Sequence, residues 1–214
     1  NYPILTGDWN GDGLTDIARL FNNGIRFYVS TGSSFVFFGD YLNLSPGQGF
    51  SDNNLYPMIT GDWNGDGITD IARVSSQGVV FCDNIGYGGM FAPCRTLNDF
   101  SPLQGYANDD VAPIFAGDWN SDGITDIARV QSSGVKYYLQ KSGGFYSPIT
   151  LGDLGPNQGY SGNENNPIII GDWNGDGVAD VGRVSSSGVT FYNRSVKSTS
   201  LLSGIFDGNG KRIY

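Results

Sequence analysis

Asp8, Asn10, Asp12 and Asp16 occupy positions 1, 3, 5 and 9 of the nonapeptide DWNGDGLTD, and near-copies begin at Asp62, Asp118 and Asp172. Side-chain oxygens at those positions, with glycine at position 6, make the donor set that a hard divalent cation such as Ca2+ requires. In the first copy the carbonyl of Leu14, at position 7, would complete the inner ring. Gly13 allows the sharp bend, because a residue without Cβ enters positive φ freely. The second copy offers Asp62, Asn64, Asp66, the carbonyl of Ile68 and Asp70; the third Asp118, Asn120, Asp122, Ile124 and Asp126; the fourth Asp172, Asn174, Asp176, Val178 and Asp180. No ligand position is degraded in any copy, so about four calcium ions are expected. The competing reading is that Asp and Asn merely shape Asx turns at hairpins.

Such loops need elements to hold them, and these are not the helices of an EF-hand. That motif requires a bidentate Glu at position 12, where this chain has Arg19, Arg73, Arg129 or Arg183. The segments after the loops, such as IARLFNNGIRFYV and IARVSSQGVVFCD, are β-branched and aromatic around a Gly-centred turn. They read as strand hairpins. Each repeat then holds four strands. One enters the loop (YPILTG, YPMITG, APIFAG, NPIIIG) and one leaves it (as in DIARL); a third follows (GIRFYV, GVVFCD, GVKYYL, GVTFYN), then a fourth (SFVFF, GMFAP, GFYSP, SLLSGIF).

Gly7, Gly61, Gly117 and Gly171 recur at intervals of 54, 56 and 54 residues, a period that signals a propeller or solenoid. Hairpin turns such as NNG, SSQG and SSSG favour antiparallel meanders over a parallel coil. The expected fold is all-β, a β-propeller of four four-stranded antiparallel blades with one Ca2+ loop per blade. It would be a single domain over residues 1–214, with repeats at approximately 1–55, 56–111, 112–165 and 166–214. Four blades are the low end for a closed ring. Two chains joined as a homo-oligomer of eight blades, or a segment of a larger ring, are the alternatives.

Composition agrees. The formal charge is −9, yet twelve of the 21 acidic residues lie in the four loops, and four Ca2+ would bring the total to −1. The acidity is metal-binding capacity rather than a field that steers basic partners. No basic stripe with interleaved aromatics is present, which argues against nucleic acid. No apolar run approaches the roughly 18 residues of a membrane helix, so membrane insertion is not expected. A start at Asn1 rather than Met suggests a processed or excised product.

Cys82 and Cys94, the only cysteines, fall on adjacent strands of the second repeat, where Cys82 takes the place of Tyr28, Tyr138 and Tyr192. A disulfide is favoured over two buried thiols. An extracellular or secreted location is expected, since millimolar calcium there suits loops of modest affinity. Sequons at Asn43 and Asn193 are compatible with it.

Trp9, Trp63, Trp119 and Trp173 all stand at position 2 of the loops. Packing between blades is favoured over stacking on a sugar. The position-12 arginines are expected to satisfy carbonyls or carboxylates between blades.

A second segment recurs between repeats: LSPGQGFSDN at 44–53, FSPLQGYAND at 100–109 and LGPNQGYSGN at 154–163. The last repeat instead ends in FDGNGKRIY, which starts like a loop but has Lys211 at position 5. Gln48 and Phe50, Gln104 and Tyr106, and Gln158 and Tyr160 are the candidate ligand-binding residues of these junctions. An aromatic face for a pyranose and amide groups for its hydroxyls make a reasonable glycan pocket. The alternative is that the Gln satisfies crossover backbone while the aromatic fills a gap.

The stretch GDWNGDGxTDIAR resembles the signature of FG-GAP (VCBS) repeats, found in integrin-type propellers and in fungal propeller lectins such as the Psathyrella velutina lectin family. The resemblance covers nearly the whole chain. It implies a calcium-stabilised propeller whose metals lie between the first two strands of each blade and, in the lectin branch, glycan sites between blades for N-acetylglucosamine-type or sialylated ligands. The resembling lectins have more blades.

The expected function is therefore a calcium-stabilised, non-catalytic lectin for N-acetylhexosamine or sialylated glycans and glycoproteins, with repeated sites that gain avidity. No enzyme is expected. The chain has no His, and Asp40, Asp52, Asp83, Asp99, Asp109, Asp110, Asp153, Glu164 and Asp207 are scattered outside the loops. A carboxylate pair for glycoside hydrolysis is the catalytic alternative. An adhesion or protein-recognition propeller from a larger surface protein is the other.

Overall fold

Each acidic loop joins two strands whose pairing closes on the loop's own last aspartate. In a computed structural model describing residues 2–141, 144–194, 205–207 and 212–213, the pairs at the loop mouths are Gly7 with Asp16, Gly61 with Asp70, Gly117 with Asp126 and Gly171 with Asp180. Contacts gather into two units, Asn1–Asn108 and Asp109–Tyr214.

The first unit holds two antiparallel meanders. One comprises β1 (Ile4–Gly7), β2 (Asp16–Phe21), β3 (Gly24–Ser30) and β4 (Phe35–Tyr41); the other comprises β5 (Met58–Gly61), β6 (Asp70–Val74), β7 (Val79–Cys82) and β8 (Arg95–Leu97). In the second unit the chain runs through β9 (Ile114–Gly117), β10 (Asp126–Gln131), β11 (Gly134–Tyr138), β12 (Gln140–Lys141), β13 (Gly144–Phe145) and β14 (Ile149–Leu151). Strands β9, β10, β11 and β14 form the sheet, and β12 pairs with β13 as a separate ribbon. The last sheet orders β15 (Ile168–Gly171), β16 (Asp180–Ser185), β17 (Gly188–Arg194), β18 (Ile205–Asp207) and β19 (Arg212–Ile213).

The architecture is thus all-β and antiparallel, with the first three strands of every repeat where hydrophobic patterning puts them. The fourth strands differ. In the second repeat the fourth strand is Arg95–Leu97 rather than GMFAP. Gly86, Gly88 and Gly89 all take positive φ, so the chain doubles back at 84–92, with Ile85 N–H donating to the Met90 carbonyl at 3.2 Å and Ala92 N–H to that of Asp83 at 2.8 Å. In the third repeat GFYSP likewise turns back on β12, and Ile149–Leu151 takes the edge. In the fourth, residues 200–204 of SLLSGIF lie outside the described residues, and Arg212–Ile213 adds a fifth strand. Lys211 also lies outside them.

β-branched and aromatic residues in the central strands bury both faces, and every residue of β6, DIARV, is buried. In the first unit Trp9, Leu20, Ile25, Phe27 and Ile71 form one core. In the second unit Trp119, Val130, Val135, Tyr137 and Val181 form another. Each such side chain contributes about 1.5–3 kcal/mol when withdrawn from water.

Cys82, the last residue of β7, and Cys94, just before β8, form a disulfide that closes the 84–92 excursion. Cys82 is buried and pairs with Ile71, in the register that Tyr28 keeps with Ile17, Tyr138 with Ile127 and Tyr192 with Val181. Replacing both cysteines by Ala removes a short cross-link from the unfolded chain and is expected to cost roughly 3 kcal/mol. Thermal melts of the variant and of the reduced protein check this; coincident melts for variant and wild type would contradict it.

Candidate functional site

The four loops fold alike because their acidic side chains organise their own backbone. In the first, Asp8 Oδ1 accepts the N–H groups of Gly11 at 2.7 Å and Asp12 at 3.1 Å, and Oδ2 accepts that of Gly13 at 2.7 Å. Asp12 Oδ1 accepts Leu14 N–H at 2.8 Å, and Asn10 Nδ2 donates to Asp12 Oδ2 at 2.9 Å. The second loop repeats this on Asp62, Asn64 and Asp66, and the fourth repeats the Asp172 and Asp176 bonds. In the third, Asp118 Oδ2 takes Gly123 N–H at 2.9 Å, and Ser121 adopts the left-handed φ of 58° that glycine holds in the other copies.

The aspartate at position 9 does different work. Asp16, Asp70, Asp126 and Asp180 are fully buried. Their Oδ2 atoms accept the N–H of the position-2 tryptophan, at 2.8 Å for Trp9 and Trp63, 3.0 Å for Trp119 and 3.1 Å for Trp173. Oδ1 of the first three reaches 14 residues ahead to the N–H of Ser30, Asn84 or Gln140, each at 2.6 Å. One carboxylate thereby ties the loop to the far end of the third strand.

Burial pushes the Asp70 carboxyl up to about 8, with Asp83 and Asp66 adding repulsion against its bonds from Asn84 and Trp63. Burial likewise pushes Asp126 up to about 7, and Asp122 and Asp118 reinforce it. The donors are all hard oxygens, and the buried negative charge wants a cation, so the chemistry of the set suits a divalent ion. Among the described residues no three His, Cys, Asp or Glu side chains converge closely enough to hold one; the carboxylates face the loop's N–H groups.

The three junctions are built turns. A 3-10 turn at Pro46–Gln48, Pro102–Gln104 or Pro156–Gln158 ends on a left-handed glycine, Gly49, Gly105 or Gly159. Gln48 Oε1 accepts Ser45 N–H at 3.2 Å, Gln104 Oε1 that of Ser101 at 3.2 Å, and Gln158 Oε1 that of Gly155 at 3.1 Å. Each Gln stays exposed. The aromatic partners turn inward: Phe50 lies 4.9 Å from the Arg73 guanidinium and Tyr160 5.2 Å from that of Arg183, while Tyr106 packs edge-on to Phe100 at 5.3 Å.

Those arginines read the junction backbone. Arg73 donates to the carbonyls of Tyr56 and Phe50 at 3.1 Å, to that of Leu44 and to Asn53 Oδ1 at 2.6 Å. Arg183 donates to Asn166 at 3.0 Å and Leu154 at 2.6 Å, and Arg129 to Ala112 at 2.7 Å. All three are fully buried, and burial draws Arg73 down to about 10, still charged at neutral pH. Arg19 is exposed.

Sequence reasoning missed one device. Leu44, Phe100 and Leu154 have φ of 53°, 67° and 67°, a conformation that costs a bulky residue on the order of 1–3 kcal/mol. The preceding Asn43, Asp99 or Asp153 accepts its N–H at 2.8, 2.7 or 2.6 Å. The signal was an Asn or Asp two residues before Ser-Pro or Gly-Pro at every junction. Trp9, Trp63 and Trp119 are buried, and their rings meet Phe27, Phe81 and Tyr137 of their own repeats at 5.1 Å. Trp173 meets Phe191 at 4.9 Å but stays 43% exposed.

A profile of the FG-GAP-like repeat matches residues 8–73 and 118–182, which contain all four loops. No curated protein matches the chain in sequence. Among solved structures, the chain is similar to an Agrocybe aegerita lectin described for specific recognition of non-reducing terminal N-acetylglucosamine. That match has a TM-score of 0.80 and 24% identity, over 89% of this chain and 48% of the lectin, so the chain spans about half the lectin's length. It is also similar to a Photorhabdus luminescens Tc holotoxin pore, with a TM-score of 0.66 and 25% identity over 87% of this chain and 8% of that one. A TcdB2–TccC3 complex gives a TM-score of 0.55 and 25% identity over 80% of this chain and 8% of that one.

Two outcomes follow from the buried charges. Replacing Arg73 with Ala strands several buried carbonyls and is expected to destabilise by about 3 kcal/mol or more, whereas Arg19→Ala should stay within about 0.5 kcal/mol; denaturant melts compare them. In chelator, the raised Asp70 and Asp126 values mean that the folded state holds protons the unfolded state releases near pH 4. Their contribution is therefore greatest at acid pH and is lost as pH rises to about 8. The melting temperature of the chelated chain should fall from pH 5 to pH 8; a rise would contradict it.

Proposed function

The chain belongs to the FG-GAP-like repeat family, and on that premise we propose that it is a calcium-stabilised carbohydrate-binding propeller that breaks no bond. The reading is carried by the similarity to a lectin that recognises terminal N-acetylglucosamine, sustained over 89% of this chain at a TM-score of 0.80. Calcium ions held by Asp8, Asn10, Asp12, Leu14 and Asp16 and their counterparts would neutralise the negative charge that the fold buries at position 9 of each loop. The disulfide and the calcium demand fit an extracellular setting.

The glycan sites lie at the junctions. The same capped turn occurs there three times, each with an exposed Gln whose oxygen is already committed to the turn. That fixes the side chain and turns amide N–H toward sugar oxygens, with one N–H of Gln104 already given to the Gln77 carbonyl at 3.3 Å, while Phe50 and Tyr160, packed on arginine, support their turns from below. Preorganised donors repeated along the chain suit weak sites that gain through avidity. N-acetylhexosamine or sialylated glycans are the proposed ligands.

Protein recognition is the second reading. Phe35, Val36, Phe37, Tyr87 and Met90 are exposed in the first unit, on β4 and on the disulfide-closed excursion whose Gly88 and Gly89 abut Gly39 and Asp40.

A glycan array probed in calcium should respond to one terminal sugar, and Gln48→Ala, Gln104→Ala and Gln158→Ala should lower binding in steps while the melt changes by about 1 kcal/mol or less each. A blank array transfers the weight to protein recognition. Chelation, or Asp12→Asn with Asp66→Asn, should lower the melting temperature, since an ion bound only by the folded state stabilises it by mass action. An unchanged melt in chelator rejects calcium.

A further inference from the structure

Neighbouring metal loops are joined through a residue that ligates nothing. Thr69 lies between Ile68 and Asp70, positions 7 and 9 of the second loop, and its N–H donates to the Asp8 carbonyl at 2.7 Å. In return Asp8 N–H donates to Thr69 Oγ1 at 2.8 Å. Asp8 is the first residue of the first loop, so two bonds pin its backbone to the closing segment of the next. The buried Asn84 adds a second tie. Its Nδ2 donates to the carbonyls of Trp9 at 2.9 Å and Thr69 at 3.1 Å, and its N–H donates to Asp70 Oδ1 at 2.6 Å. Gly7 makes the approach possible, since a Cβ there would collide with the Thr69 side chain.

We propose that Thr69 is a positioning residue that couples occupation of the second metal loop to that of the first. This rests on the calcium reading above. Ile68 and Asp70, which would hold the ion of the second loop, flank Thr69 in the chain, and the paired bonds of Thr69 hold the backbone of Asp8, which would supply the first ligand of the neighbouring loop. By thermodynamic reciprocity, an ion in the first loop favours the second equally.

The second unit supplies a natural contrast. Position 8 of its last loop is Ala179, whose N–H donates to the Asp118 carbonyl at 2.7 Å but which has no hydroxyl to accept a bond in return. Coupling between the third and fourth loops should be weaker.

The test is a site-resolved calcium titration of the full chain, following the backbone amide signals of Gly13 and Gly67 by NMR. With Thr69 in place, silencing the second loop by Asp66→Asn should weaken calcium binding at Gly13 about tenfold, a coupling within the usual range. With Thr69→Ala the same silencing should leave the Gly13 midpoint unchanged, and Thr69→Ser, which keeps the hydroxyl, should restore the response. Ala179→Thr should make Gly123 and Gly177 titrate together. Spectral dispersion reports folding of each variant without calcium. An equal shift of Gly13 in the wild-type and Thr69→Ala backgrounds, or none in either, overturns the coupling. Amides that never respond to calcium overturn the metal reading itself, and a response without coupling leaves that reading standing.

Discussion

A buried aspartate that accepts two backbone N–H groups 21 residues apart is the constraint on which each of the first three repeats depends. Asp70 receives one bond from Trp63, at the start of its loop, and one from Asn84, just past the third strand. The first fixes the loop's entry and places the indole; the second fixes where the hairpin ends. Because Asp70 is also the first residue of β6, opposite Gly61, a single side chain sets the register of three strands. Neutral side chains could accept the same bonds. A carboxylate buried at this depth makes the sheet sensitive to any cation that reaches the loop.

The arginine three residues further along is the complementary buried charge, with a different task. Arg73 and Arg183 do not depend on a carboxylate for their bonds; they gather carbonyls of the preceding junction. That junction carries a leucine or phenylalanine in a left-handed conformation, and the carbonyls of Leu44 and Leu154 are among those the arginines take. The local strain is offset by burial of the side chain, the bond from the preceding Asn or Asp, and the charged donor. Arg19 has the same sequence context in its loop and is exposed among the described residues.

Loop position and strand register were legible because they follow from short-range chemistry. Spacing of Asp and Gly placed the loops between the first two strands, and the equivalence of Cys82 with Tyr28, Tyr138 and Tyr192 appears directly in the strand pairing. The fourth strands were less legible. Apolar residues at 89–93 and 144–148 satisfy a strand pattern, yet glycines with positive φ send the first segment back on itself, and the second pairs across a two-residue ribbon. Edge strands contribute few cross-strand contacts, so local turn chemistry decides them. The left-handed junction residues went unread for a different reason: nothing in a Leu or Phe itself advertises positive φ, and the signal lies in the preceding Asn or Asp whose side chain accepts its N–H. Sequence weighed glycan contact against backbone satisfaction for each Gln and aromatic, and the structure divides the pair: the aromatics pack inward, while the Gln side chains are tethered but exposed.

That division bears on where recognition resides. Repetition usually suggests repeated binding, but most of what repeats here is consumed internally: aspartates hold N–H groups, three of the four tryptophans fill cores, and Phe50 and Tyr160 lie on guanidinium groups. The repeated chemistry left at the surface is narrow, an amide on a rigid turn, which suits small polar ligands such as sugar hydroxyls and acetamido groups better than a broad apolar partner. What does not repeat has the opposite character. The disulfide-closed excursion and β4 expose the apolar side chains of Tyr87, Met90 and Phe37 on segments joined by a tight glycine contact, a character that suits protein contact better than sugar. The two readings therefore occupy different residues, and loss of one function by mutation should leave the other intact.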